Sequence, residues 1–471
     1  MLCIEKVLSL IKLRNLSKFL VVVSIFVIFS LGVVSVIAFP IDKISNFKLS
    51  ILQKLGISQP RVIFPEKIDS SRYEFRLQKQ FSLDGVYQLA PVSKSHFYAL
   101  DRFSGKVFTY NLKHKKFTHD YLGNIYDQLD FISNSNGSRD GQKINNAGNK
   151  VGNEPTIFAT AFDLEYAFGK LYMSVTLPEE NQTCTTLNLF SFSVPDTATN
   201  EFKNIKKIFK SPCILDKSTP TMWGGRITHS TKNIFMSVGE QRYDPSGFPK
   251  IDIFSISEIQ NTKSVFGKVL EFNPQSNRYK IYSSGHRNAQ GLFFSHDDSK
   301  IFESEHGPFG GDEINILEKG KNYGWPFGTF GKPYPLFNTG NKDDEFRSIN
   351  PSSTIDKQLN KFNARSGSQL NARLPVMSWI PSVGAGSLTK IQNDSIYLDW
   401  LGNVLVSSML EKSIHRLILV KDSIVLDEKI TIGLRIRDFI INDSGYLILS
   451  TDEGKLLIYI ATSPAIAINN N

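Results

Sequence analysis

The chain has 471 residues, 41% of them hydrophobic and 21% charged, with 54 Lys and Arg against 45 Asp and Glu, a net charge of +9 and 3 Cys. A composition this close to the globular average excludes wholesale disorder, a polytopic membrane protein and a small disulfide-stapled scaffold. The positive charge permits anion binding, but the Lys and Arg are scattered and no basic run interleaves with aromatics, so nucleic acid is not an expected partner.

Phe19 to Phe39 is a run of 21 residues without a charge, long enough to cross a hydrocarbon core of about 30 Å. Lys6, Lys12, Arg14 and Lys18 outweigh Glu5 ahead of it, a bias that keeps residues 1–18 cytoplasmic and exports the rest of the chain. The expectation is one N-terminal transmembrane signal anchor at 19–39, with the folded part on the periplasmic or extracellular side. Val36-Ile37-Ala38 also resembles a signal-peptidase site, which leaves cleavage open. Cys184 and Cys213 are then the exported thiols, either a disulfide or two separately buried side chains.

Residues 40–72, with Pro60 and Pro65, read as a linker, 73–462 as the folded domain and 463–471 as a C-terminal tail. Strand-like runs joined by a turn recur six times, at His96–Asn111, Gly169–Val194, Asn233–Phe272, Lys300–Leu317, Gly402–Leu419 and Gly445–Ile460. Three share a turn: Ser104-Gly105-Lys106-Val107, Phe266-Gly267-Lys268-Val269 and Glu453-Gly454-Lys455-Leu456. Six units of about 65 residues suit four-stranded blades set around an axis, which predicts an all-β six-bladed β-propeller. Polar inserts at Ser133–Glu154 and Asn338–Asn371 are expected on its rim or top face.

The densest stretch runs from Gly285 to Pro326. Arg287 and Asn288 precede a strand, and a Gly307-Pro308 turn leads to Asp312 and Glu313, a pattern that offers carbonyls and carboxylates to a hard cation such as calcium or forms a solvated acidic loop. Arg435 and Arg437 alternate on a strand and therefore share a face, which suits a polyanionic ligand or a structural Arg–Asp network.

The segments G-H-R-N-x-Q-G-L, E-x-G-P-x-G-G-D-E-I-N and G-x-N-Y-G-W-P closely resemble the signature of the soluble quinoprotein glucose and sorbosone dehydrogenases, which include aldose sugar dehydrogenases. Trp223-Gly224-Gly225-Arg226-Ile227, Trp379-Ile380-Pro381-Ser382 and Trp400-Leu401-Gly402-Asn403 add to the likeness. The resemblance implies a six-bladed propeller that holds pyrroloquinoline quinone (PQQ) and calcium on its top face and oxidises an aldose. A base takes the hydroxyl proton while hydride passes to the quinone. Matched by motif, Arg287, Asn288, Arg435 and Arg437 would hold PQQ and the Gly307 and Pro308 carbonyls its calcium. Asp312, Glu313 and the Tyr323 carbonyl would form a second, structural calcium site.

Two positions depart from the pattern. Asp163 stands where the family carries its catalytic histidine, and Leu410 where it carries a lysine that contacts the quinone, with Glu411 and Lys412 next in line. The expected function is therefore a membrane-anchored sugar dehydrogenase with Asp163 as replacement base, a sugar as substrate and a respiratory electron acceptor. The rival is a non-catalytic, calcium-binding propeller of the same family that binds a glycan or protein. His229 and Glu240 read as scaffold.

Overall fold

The computed structural model describes residues 64–82, 85–112, 117–129, 159–179, 184–194, 199–214, 222–240, 259–308, 310–326, 328–331, 371–442 and 444–462. Among these, no helix is long and apolar enough to cross a membrane. The anchor expected at 19–39, the polar inserts, most of the linker and the C-terminal tail lie outside the described residues.

The strands form six antiparallel sheets. The closing blade mixes both ends of the chain: β1 (Lys67–Asp69) and β2 (Glu74–Ser82) are its outer strands. The first blade comes next, with β3 (Tyr87–Ser93), β4 (His96–Asp101), β5 (Lys106–Asn111) and β6 (Thr118–Asn124). The second has β7 (Thr160–Ala167), β8 (Lys170–Pro178), β9 (Thr185–Ser193) and β10 (Lys203–Lys210). The third has β11 (Gly224–His229), β12 (Ile234–Val238), β13 (Lys268–Phe272) and β14 (Tyr279–Ser284). The fourth has β15 (Ala289–Ser295), β16 (Lys300–Glu305), β17 (Asp312–Leu317) and β18 (Met377–Trp379). The fifth has β19 (Ala385–Lys390), β20 (Val404–Ser408), β21 (Ser413–Val420) and β22 (Ser423–Thr431). β23 (Ile436–Ile441), β24 (Tyr446–Thr451) and β25 (Lys455–Thr462) complete the closing blade, where β25 pairs along β2.

The first strand of each blade packs on that of the next, from β3 through β7, β11, β15 and β19 to β23 and back to β3. The sheets thus ring a common axis as a six-bladed propeller. Each sheet is buried on both faces, so alternate residues serve alternate interfaces: Leu171, Met173 and Val175 of β8 pack toward the first blade, whereas Tyr172 packs toward the third. One apolar cluster fills each of the six blade interfaces. The expected start at residue 73 falls short, because Lys67–Asp69, inside the stretch assigned to a linker, pairs with β2.

The six repeating units of the sequence correspond to the middle hairpins of the six blades. Gly105, Gly267 and Gly454 of the shared turn have φ of 75°, 63° and 70°, a left-handed conformation that favours glycine.

Cys184, just before β9, is disulfide-bonded to Cys213, just after β10, across 29 positions. Closing a loop of that size in the unfolded chain corresponds to about 3.5 kcal/mol. Cys213→Ser should lower the unfolding free energy by about that amount in urea titrations, and reductant should then destabilise the wild type but not the variant.

Candidate functional site

Five of the six innermost strands carry a bulge close to their first residue. Pairing shifts between Ala161 and Asp163, Gly224 and Ile227, Ala289 and Gly291, Ala385 and Leu388, and Ile436 and Asp438. A bulge leaves a residue out of the ladder and re-aims its side chain. Phe162, Arg226, Gln290, Gly386 and Arg437 occupy these interruptions, and all five line one small cavity with Gln88, Arg102 and Met409. Each blade contributes, so the cavity lies where the blades converge.

Its lining is cationic. Arg102 donates from Nε to the Ala161 carbonyl at 2.9 Å and lies 5.4 Å from the Phe162 ring centre. Burial, and then the Arg437 guanidinium, pull Arg102 below its ordinary pKa, although it stays charged at neutral pH. Arg437 and Arg435 both donate to Asp452, at 2.8 to 3.0 Å, so the two same-face arginines share a carboxylate.

Arg226 sits between two buried carboxylates. Its Nε is 3.3 Å from Asp163 Oδ2 and its Nη2 3.2 Å from Asp438 Oδ1, while Nη1 donates to Gln88 at 2.7 Å. Asp163 also accepts from the Leu164 and Ile227 amides at 2.9 and 2.6 Å. Two carboxylates against one guanidinium leave excess negative charge in a dry site. Burial pushes Asp163 up to about 8, with Arg226 pulling the other way and Asp438 adding to the rise. Asp163 is only 2% exposed, and the cavity wall at this point is its neighbour Phe162.

The remaining candidates cluster on the fourth blade and its flanking loops. A second small cleft is lined by Arg287, Gly307, Glu313 and Tyr323 together with Glu305 and Trp325. Arg287 donates from Nη1 to the His306 and Gly307 carbonyls at 2.8 and 2.7 Å, so a guanidinium meets the carbonyl expected to meet calcium. Pro308 is buried beside it. Asn288 accepts from the Gly224 amide at 3.2 Å and thereby ties the third blade to the fourth. Burial, and then the Glu305 carboxylate, raise Glu313 well above the usual range.

Asp312 differs from the expectation of a calcium ligand. Its Oδ2 accepts from Ser382 Oγ and from the amides of Val383, Gly384 and Ala385 at 2.6 to 3.1 Å, and its Oδ1 accepts from the Gly307 amide at 3.1 Å. Five donors occupy one carboxylate, which makes it a clamp on two loops. Leu410 is 61% exposed, and Glu411 turns to His415 and Lys429. His229 pairs with Glu165 at 2.6 Å, at the opposite end of β11 from the bulge. Glu240 accepts from Trp325 Nε1 at 2.7 Å and faces Arg287.

The family model described as Glucose / Sorbosone dehydrogenase matches residues 157–458, most of the described propeller. The chain belongs to the glucose/sorbosone dehydrogenase family. Aldose sugar dehydrogenase YliI of Escherichia coli K12 is 28% identical to this chain over 249 residues, 51% of this chain and 60% of that protein. The matches to the first two curated relatives span 55% and 60% of their lengths. The crystal structure of the soluble aldose sugar dehydrogenase from E. coli in its apo form superposes with a TM-score of 0.58 at 19% identity, covering 83% of this chain and all of that one. The PQQ-bound aldose sugar dehydrogenase from Streptomyces coelicolor gives 0.53 at 16% identity, covering 85% of this chain and all of that one. At these identities the structures establish a shared fold.

Sequence reasoning passed over Arg102, Gln88 and Gln290 as lining residues, and took Arg226 only as part of a family segment. A signal for Arg226 was present: Gly224 and Gly225, with φ of 61° and 84°, make the bulge that turns it inward. Arg102 comes directly after β4 with no local pattern to mark it.

Proposed function

We propose that the protein is a PQQ-dependent sugar dehydrogenase-like oxidoreductase acting on an aldose or a related alcohol. The observation that carries this reading is the convergence of Arg102, Arg226 and Arg437 on one cavity that also presents the carboxamides of Gln88 and Gln290. Guanidiniums and amides are the donor set for a planar polycarboxylate, and an anion there offsets the repulsion between Arg102 and Arg437. The aldose sugar dehydrogenase named above was solved with PQQ bound, which supports the same choice.

In this reading Arg437, Arg102 and Gln290 would hold the cofactor, with Asn288 beside them, and calcium would take the Pro308 carbonyl and the Gly307 carbonyl once Arg287 turns from it toward the cofactor. The quinone, when bound, supplies the hydride acceptor. Phe162 and Met409 exclude water from the cavity. Asp163 lies behind Phe162, where burial raises its affinity for a proton and Arg226 opposes that rise. Residues 19–39 anchor the chain with the propeller outside, where electrons pass to a respiratory acceptor.

The test is titration of PQQ into the full chain with and without calcium, and then dye reduction with a panel of aldoses. Calcium-dependent binding with turnover is the expected result, and a folded, calcium-loaded protein that binds no PQQ would overturn it. Arg102→Met should weaken PQQ binding about ten- to a hundredfold, the loss of one charge-assisted contact. A second reading, a non-catalytic propeller that binds a glycan or protein, is favoured by the closed set of partners around Asp163 and by the exposed Leu410.

A further inference from the structure

Glu303 and Glu305 stand two residues apart on β16 and so share a face, and the register sets Asn315 opposite Glu303 and Glu313 opposite Glu305. This face continues the interface between the third and fourth blades, where Ile301, Leu317 and Tyr323 belong to an apolar cluster with only six buried members. Every other interface has at least nine among the described residues, so here polar side chains fill space that apolar ones fill elsewhere. His286, on the link from β14 to β15, reaches the same spot and stacks on Tyr323.

The exposures of His286, Glu303 and Glu305 are 1%, 0% and 4%, and one ligand atom from each lies within 4.8 Å of the others. His286 Nδ1 and Glu303 Oε1 face each other at 3.0 Å as a buried ion pair poorly aligned for a hydrogen bond, and no other group bonds either atom. The other ring nitrogen, Nε2, is 2.8 Å from Ser283 Oγ, the outer contact that orients a metal-binding imidazole. Asn315 Nδ2 reaches Glu303 Oε2 at 3.3 Å and Glu305 Oε1 at 3.4 Å, and the Arg287 amide donates to Glu305 Oε2 at 2.7 Å, so the carboxylates are held from behind.

We propose that His286, Glu303 and Glu305 bind a divalent transition-metal ion of the Zn²⁺ class, which staples the third blade to the fourth. An imidazole with two carboxylates is a nitrogen and oxygen donor set that suits zinc, whereas calcium takes oxygen ligands alone. With Glu313 alongside, three carboxyl groups are buried together, and a divalent cation offsets their charge. The site is distinct from the Gly307 and Pro308 carbonyls and needs no PQQ.

The test uses the full chain, stripped with chelator, dialysed and titrated with ZnCl₂ in excess calcium and without PQQ. One Zn²⁺ per chain is expected, with a rise in Tm. Glu303→Gln and His286→Gln should each weaken binding at least about tenfold and abolish the rise in Tm, with PQQ binding unaffected in Glu303→Gln. Cobalt substitution of the wild type, which depends on no variant, should give ligand-field absorption bands that zinc abolishes. A folded, stripped wild type that takes up neither ion, or zinc affinity in both variants unchanged from the wild type, would overturn the proposal in favour of carboxyl groups that share protons.

Discussion

Asp312→Ala should lower the unfolding free energy by at least about 4 kcal/mol, and millimolar calcium should not restore it. The carboxylate is fully buried and accepts from the Gly307 amide, the Ser382 hydroxyl and three successive amides, Val383 to Ala385. Its removal leaves five donors to find new partners, at about 1–3 kcal/mol for each one that stays unpaired, although water entering the gap recovers part of this. Asp312→Asn keeps one acceptor oxygen and should cost less. Urea unfolding with and without calcium checks the point. If calcium stabilised the wild type and left Asp312→Ala untouched, Asp312 would be a metal ligand after all.

The second large effect lies at Asp163. Its folded pKa, about 8, stands above the value of 3.8 for an unperturbed carboxyl, so between those values the folded chain holds more proton than the unfolded one. Stability from this group is therefore complete below about pH 4 and is lost as pH rises through 8, at up to about 1.4 kcal/mol per unit. Glu240, which burial pushes up to about 7, acts in the same direction. Asp163→Asn mimics the protonated state, so the variant should show a flatter stability profile from pH 5 to 8 and rise above the wild type at alkaline pH. If Asp163 is also the base, the same substitution should lower turnover about 100-fold to 10,000-fold and remove the pH limb near 8. Unchanged turnover would place the base elsewhere, and an unchanged stability profile would mean that Asp163 is ionised throughout.

Much of the architecture could be seen in the residues, and the reason is burial. The middle hairpin of each blade is covered on both faces, so β4–β5, β8–β9, β16–β17 and their counterparts show as dense apolar runs around a glycine turn. Outer strands such as β10, with Lys203, Lys206, Lys207 and Lys210, are half solvated and carry a weaker pattern. The closing strands β1 and β2 were obscure because β2, on which β1 pairs, finds its own partner β25 nearly 400 residues away. At the candidate site, motif matching gathered Arg287, Gly307, Glu313 and Tyr323 around one cleft. It did not distinguish a carboxylate free to bind an ion from one already saturated, as Asp312 is, because the partners of Asp312 come from a loop 70 residues further on.

The bulges also bear on how such a protein changes over time. A residue outside the ladder can be exchanged without disturbing strand pairing, while its paired neighbours keep the blade in register. Gln290 is therefore a position where a substitution alters what the central chamber accepts at little expense to the fold, whereas Gly386 abuts the buried Ser407 and Arg437 is bound to Asp452. Asp163 and Asp438, one position further along β7 and β23, are bound into the scaffold and are not free in this way. Selectivity and robustness thus sit on adjacent residues of the same strands, whereas Arg226, bonded to Gln88, Ser387 and Asp438, ties the third blade's share of the chamber to three other blades.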